Sequence, residues 1–414
     1  MSTKLSTVKI LLVVLGAATI FYSCLKDTHT KTYSIYTPVY KTLSEVRAGI
    51  KNNAPVPINK AGKIFIQGNF IFLNEVDKGV HIIDNTNPAA PVNKYFVSIP
   101  GNLDLAVKGN TLYADQYRDL LTIDISNPDA IAVKKITEKV FLNRTYLNGF
   151  IGDSTKVIVD WIKKDTTVAD NFDATISFRR DVVFFNASAS VASAVSPTTG
   201  ISGSMARFTL LNNYLYTVTD QDLNIFNITD PQNPIFNNQV KIGWNIETIY
   251  PFKNNLFIGS QTGMYIFSTA NPAKPTLVST FQHLRFCDPV IADENFAFIT
   301  LRTGTNCGGT FNRLEVLDIS NLSSPVFIKS YDLTNPHGLS KSGNTLIICD
   351  GTAGLKVYDA TTVTDLKLLQ TIQVPDAFDV IMLNGNAIVV ARDGIYQYDY
   401  SNPRSISFKS KISY

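Results

Sequence analysis

Residues 119–128 read "DLLTIDISNP". Leu, Ile and Thr build a short strand, and Asp, Ser, Asn and Pro then break it. Nothing in these ten residues is a catalytic signature. They matter because near-copies return along the chain: GVHIIDNTNP (79–88), DVVFFNASAS (181–190), DLNIFNITDP (222–231), GMYIFSTANP (263–272), RLEVLDISNL (313–322), GLKVYDATTV (354–363) and GIYQYDYSNP (394–403). Start to start, the eight copies are spaced by 40, 62, 41, 41, 50, 41 and 40 residues. A period near 40 with no helical pattern is the mark of propeller blades.

Each period holds four short strands. In the second copy they are "LDLAVKGN", "TLYADQY", "LLTIDIS" and "AVKKITEKV", with Gly109-Asn110 as a tight link between the first two. The sequence therefore predicts an all-β chain: a β-propeller of eight blades with four antiparallel strands each. Seven blades is the alternative if the divergent third copy forms no blade. Both long spacings are read as insertions between second and third strands, at about 160–180 and in "TLRTGTNCGGTFNR". In an up-and-down blade those links share a face with the blade-to-blade links, so the insertions would decorate one face. The last outer strand, "SISFKSKIS", comes from the C-terminus, so no strand is borrowed to close the ring unless residues 33–41 supply one.

The N-terminal segments read differently. Lys4 and Lys9 precede the apolar run ILLVVLGAATIFY (10–22), which is too short to span a bilayer and suits a signal peptide. Ser23-Cys24 directly after it looks like a lipoprotein cleavage site, which makes Cys24 the expected lipidation site and membrane anchor. The expected organisation is a signal peptide over 1–23, a tether with a short helix over 24–60, and the propeller over 61–414. The helix is expected within 43–53, with Ser44 as cap, plugging or bracing one face.

Without residues 1–23 the chain carries 35 basic against 34 acidic residues. Such a balance recruits neither nucleic acid nor anionic lipid by its field. Three cysteines remain: Cys287, Cys307 and Cys349. The first two flank one blade's links on one face, and a disulfide between them is expected in an exported protein. Cys349 ends the apolar strand "TLIIC" and reads as a buried thiol.

The strand motifs "VHIID", "LLTID", "LEVLD" and "LKVYD" resemble the LVIVD repeat. Longer runs, "GNLDLAVKGNTLYAD", "NIETIYPFKNNLFIGSQTGMYIF", "FCDPVIAD" and "NPHGLSKSGNTLIICDG", resemble the Bacteroidota lipoprotein members of that family. The resemblance implies a β-propeller at the outer membrane or cell surface. It implies no reaction.

Counting back from each hairpin between first and second strands brings Asp104, Arg207, Glu247, Asp288, His337 and Asp379 to the starts of the inner strands. There they would converge at the channel mouth as a ligand site, or serve as structural anchors. Asp288 and His337 could share a proton or a divalent cation. No HExxH, CxxC or phosphate-binding loop occurs, the Asp-rich turns match calcium loops only superficially, and no cofactor is expected. Tyr117, Trp161, Phe178 and Trp244 are candidate stacking residues. The functional expectation is a non-enzymatic, monomeric envelope protein that binds a partner protein or glycan. The alternative is an exported enzyme or ion-binding protein using the acidic ring.

Overall fold

A computed structural model describes residues 30–141, 155–169, 201–282, 289–303 and 311–414. The third sequence copy (181–190), Cys24, Phe178, Cys287, Asp288 and Cys307 lie outside these residues.

Two compact units are present. The smaller contains most of a two-stranded ribbon, Thr30–Thr42 with Lys156–Ala169. Its rungs include Thr32 Oγ1 to Thr167 Oγ1 at 2.9 Å and Ser34 Oγ donating to Asp165 Oδ1 at 2.5 Å. Residues 33–41 thus pair with this ribbon and add no strand to the last blade.

The larger unit is a seven-bladed β-propeller. Its inner strands are Ala61–Gln67, Leu105–Lys108, Phe208–Leu211, Ile246–Phe252, Val290–Ala292, Leu339–Ser342 and Asp379–Leu383. Its outer strands are Val92–Ser98, Ala132–Thr137, Ile235–Lys241, Thr276–Gln282, Val326–Asp332, Lys367–Ile372 and Ser407–Ser413. Each blade is an antiparallel meander. Seven rather than eight blades form because blade 2 packs directly on the blade of the fourth sequence copy. Tyr113 Oη donates to Pro231 O at 2.8 Å, and Lys135 Nζ donates to Pro234 O at 2.6 Å. No wedge fits between them. The 62-residue spacing is therefore part of one long blade-to-blade link, 138–207, and not an insertion inside a third blade.

The repeated letters are explained by the turn after the third strand. The side chains of Asp84, Asp124, Asn227, Ser268, Asp318, Asp359 and Asp399 each accept the N–H two residues on, at 2.8–3.2 Å. Three residues further, Asn87, Asn127, Asp230, Asn271, Asn321 and Asn402 repeat the motif. These side chains fix the corner, and the outer strand then returns through a register shift in every blade.

The core lies between blades. One apolar cluster joins blades 1, 2 and 3 through Phe65, Leu112 and Phe208. Others join each later pair, and Ile64 and Ile71 of blade 1 pack with Ile381 and Ile388 of blade 7. The ring closes at that seam without a shared strand. Gln397 Nε2 donates to Asn85 Oδ1 and Ser410 Oγ to Pro88 O, both at 2.6 Å.

The segment before blade 1 is a brace. The helix α1 covers Leu43–Arg47 only, and its cap is Thr42, in a reciprocal capping box with Glu45, not Ser44. Lys51–Asn53 then pairs as a fifth strand on the outer edge of blade 1. Arg47 reaches Asp119 at 2.5 Å and Glu138 at 2.7 Å in blade 2. No helix among the described residues is long and apolar enough to cross a membrane.

Candidate functional site at the channel mouth

The inner strands start on the face from which the long links leave. Three carboxylates at the ends of second strands fix short entries to the inner strands of blades 1, 2 and 6. Glu75 accepts the N–H groups of Asn59 and Lys60, Asp115 those of Leu103 and Asp104, and Asp350 those of Thr334 and Asn335. Glu75 also meets His81 Nε2 at 3.2 Å, so this buried histidine is spent in the fold.

The end of the long link, residues 201–207, runs across the mouth. Ile201–Ser202 pairs beside blade 1's inner strand, and Gly203 N–H donates to Ile64 O at 3.0 Å. Ser204 N–H donates to Asp379 Oδ1 at 2.9 Å in blade 7, and Leu339 N–H of blade 6 donates to Ser204 Oγ. Lys63 Nζ donates to Met205 O at 2.8 Å, Ile249 N–H of blade 4 to Ala206 O at 2.9 Å, and Arg207 N–H to Asp104 Oδ2 at 2.6 Å in blade 2. Seven residues thereby touch five blades.

This segment decides the fate of the expected ring. Asp104 and Asp379 are each 2% exposed. Asp104 also accepts Leu105 N–H at 2.7 Å and lies 3.4 Å from Lys63 Nζ. Asp379 also accepts Val380 N–H at 3.0 Å. Burial pushes the Asp379 carboxyl up to about 8, against the pull of these donors and of Lys63. Burial likewise pushes the Lys63 ammonium down, opposed by Asp104. Lys63 was missed from sequence, although it stands five residues before Gly68 as Asp104 stands before Gly109 and Asp379 before Asn384.

Glu247 and His337 form a second group with Arg302. Gln261 Nε2 donates to Glu247 Oε1 at 2.8 Å. Burial raises the Glu247 carboxyl, opposed by that bond and by the charges of Arg207 and Arg302. Burial and then Arg302 push the His337 imidazole down to about 3, so the ring is neutral at pH 7. Asn335 Nδ2 lies 3.3 Å from His337 Nε2. Arg207 holds Ile246 O through Nη2 at 3.1 Å. The expected ring is thus split: Asp104 and Asp379 face a backbone segment, Glu247 and His337 border Arg302, and Asp288 is not described. Among the described residues no group of three or more His, Cys, Asp or Glu has the geometry to hold a metal ion.

Of the candidate aromatics, Tyr117 is buried at 4% exposure. Trp161 belongs to the ribbon and is half-buried. Trp244 is 63% exposed, with Lys241 Nζ 5.4 Å from its ring centre. Cys349 is a buried free thiol, pushed up by burial.

Three segments, 59–97, 102–137 and 289–333, match the LVIVD repeat. They coincide with most of blades 1, 2 and 5, so the chain carries LVIVD repeats within its propeller. No curated protein matches the sequence. Among solved structures, a computationally designed protein, Ika8, is similar at 9% identity and a TM-score of 0.50, over 87% of this chain and 91% of that one. A functionally unknown protein from Desulfotomaculum acetoxidans is similar at 12% identity and a TM-score of 0.50, over 86% and 95%. Both likenesses concern the fold alone.

Proposed function

We propose that this chain is a non-enzymatic envelope lipoprotein of the Bacteroidota LVIVD type. It is anchored through Cys24 at the outer membrane or cell surface. Its propeller holds a partner protein or glycan on the face where the long links leave. One observation carries the reading. The 138–207 link, the 283–288 link and the 303–312 loop all depart from the same face, whereas the opposite face presents near-identical Asx corners. Growth on one side of a repeat scaffold is how binding surfaces are built. The geometry favours this over the enzyme alternative, because both oxygens of Asp104 and Oδ1 of Asp379 are taken by backbone donors and His337 is too weakly basic to take a proton near neutrality. A Cys287–Cys307 disulfide would pin two of the face's segments together.

The test is excision of 142–200, joined by a Gly/Ser link that keeps residues 201–207. The propeller should retain its cooperative unfolding while a protein or glycan that co-purifies with the intact chain is lost. Retention of that partner would overturn the assignment of the face. Cys24→Ser should abolish lipid labelling and release the chain from the membrane fraction.

A further inference from the structure

The second group at the mouth contains two donors that the fold leaves unused. The amide nitrogen of Asn335 can only donate, so His337 Nε2 accepts and the neutral ring carries its proton on Nδ1. That Nδ1 is buried and has no partner. A buried N–H of this kind is costly unless something accepts from it. The ring is held in place rather than loose. It lies 5.4 Å from the Phe378 ring, its backbone N–H donates to Cys349 O at 2.7 Å, and its carbonyl accepts from Thr300 Oγ1 at 2.7 Å.

Thr300 brings in the second donor. Arg302 follows it by two residues, directly after the last residue of blade 5's second strand (Phe296–Leu301), and continuing the strand's alternation turns both side chains to one side of the sheet. Thr300 touches His337, and Arg302 is carried toward the same place. Its charge is felt by both His337 and Glu247. The guanidinium is half-buried and makes no hydrogen bond or ion pair with a described residue. Arginines in such positions ordinarily find a carboxylate or phosphate for their fork of N–H groups.

We propose that Arg302 and the Nδ1–H of His337 bind the carboxylate of a ligand at the channel mouth. A guanidinium supplies two parallel N–H groups, and the imidazole supplies a third, neutral donor from a rigid support. The borders of the site select charge. Glu247 feels the charge of Arg302, and Asp350 accepts at 2.8 Å the N–H of Asn335, whose side chain meets His337. Two acidic neighbours tolerate a single negative charge beside an arginine better than the double charge of a phosphate. The assignment rests on this face being the binding face, and it names the chemistry read there.

The test is an imidazole-detected NMR titration of the mature chain, which has four histidines. The probes are glucuronate, N-acetylglycine, methyl glucoside and inorganic phosphate. Glucuronate, N-acetylglycine or both should shift the His337 Nδ1–H resonance saturably, and methyl glucoside should not. The better carboxylate identifies an acidic sugar or a peptide carboxylate as the source. Arg302→Gln should weaken that binding about tenfold or more, as expected for a charged hydrogen-bonded contact. Its unfolding midpoint should be unchanged or raised. If Arg302→Gln does not fold, Arg302→Lys should keep the charge and still weaken binding by losing the fork. No saturable shift with either carboxylate, an equal shift with methyl glucoside, undiminished binding by the variant, or tighter binding of phosphate would each overturn the site. If carboxylate binding fails while excision of 142–200 still releases the partner, only this inference falls and the binding face stands.

Discussion

Asp379 Oδ1 accepts the backbone N–H of Ser204 at 2.9 Å across 175 residues of sequence. That contact ties the start of blade 7 to a link that feeds blade 3. It turns what looked like a free acid in a channel into a fully buried anchor.

A buried carboxyl held at about 8 makes stability depend on pH. Its ordinary value is 3.8, so between roughly pH 4 and 8 the folded chain keeps a proton that the unfolded chain releases. The associated stability is complete below pH 4 and is lost as pH rises through 8. Asp379→Asn should flatten this part of the profile and gain on the native chain at pH 8.5. Urea midpoints at pH 5 and 8.5 for both proteins check it. An unchanged slope would show that Asp379 is ionised in the fold.

Two glycines allow the approach of Asp379. A Cβ on Gly338 would stand 2.1 Å from Oδ1, and one on Gly203 would stand 2.0 Å from Oδ2. Gly338→Ala should cost about 1–3 kcal/mol, as overpacking of a buried site does. Gly68→Ala makes the comparison, since nothing lies within 4 Å of that position and only its positive φ of 54° is strained. Chemical denaturation of both variants separates crowding from backbone strain.

The clasp of α1 on blade 2 is also measurable. Asp119 is 1% exposed and accepts from Arg47 and from Lys139 N–H, the latter at 3.1 Å. Arg47→Ala leaves a buried carboxylate with the backbone donor alone, at a cost of about 1–3 kcal/mol. The arm of the bridge to Glu138 is at the surface and adds little. Glu138→Ala should therefore be nearly silent in the same unfolding measurement.

Lys253 sits at φ 52° in the hairpin of blade 4, where blades 1, 2 and 6 use glycine. Lys253→Gly relieves a left-handed side-chain clash and should stabilise by up to about 1 kcal/mol. Its ion pair with Glu294 joins two exposed side chains, so its loss should not cancel the gain.

If Cys287 and Cys307 are bridged, the denatured, unreduced mature chain with a lipidated Cys24 should show one reactive thiol, Cys349. Three thiols would exclude the bridge. In the native chain Cys349 should react slowly, being fully buried with its thiol pushed up.

The wheel was legible in the sequence because its corners need particular side chains. Asp124 and its counterparts accept backbone N–H groups two residues on, and chemistry that local repeats as letters. The two-residue hairpins and the C-terminal outer strand were legible for the same reason. The blade count was legible only as the alternative, seven, that follows if the third copy forms no blade. DVVFFNASAS satisfies the local pattern, whereas the packing of Tyr113 onto Pro231 that excludes an eighth wedge is a long-range fact. The site was half legible. Counting to inner-strand starts brought Asp104, Asp379, Glu247 and His337 to one end of the inner strands. Nothing local announced that residues 201–207 would cover the first two, or that Arg302, outside any inner strand, would border the others.

The seam between blades 7 and 1 carries a last implication. Because the four strands of each blade come from one stretch of chain, any of blades 2 to 7 can be copied or deleted as a cassette without orphaning a strand elsewhere, whereas blade 1 also carries Lys51–Asn53 and Ile201–Ser202. The circumference is then set by how many wedges fit around the axis, not by a clasp. Size in such a scaffold is open to change by simple duplication, with Gln397 and Asn85 needing only to meet again wherever the circle comes to rest.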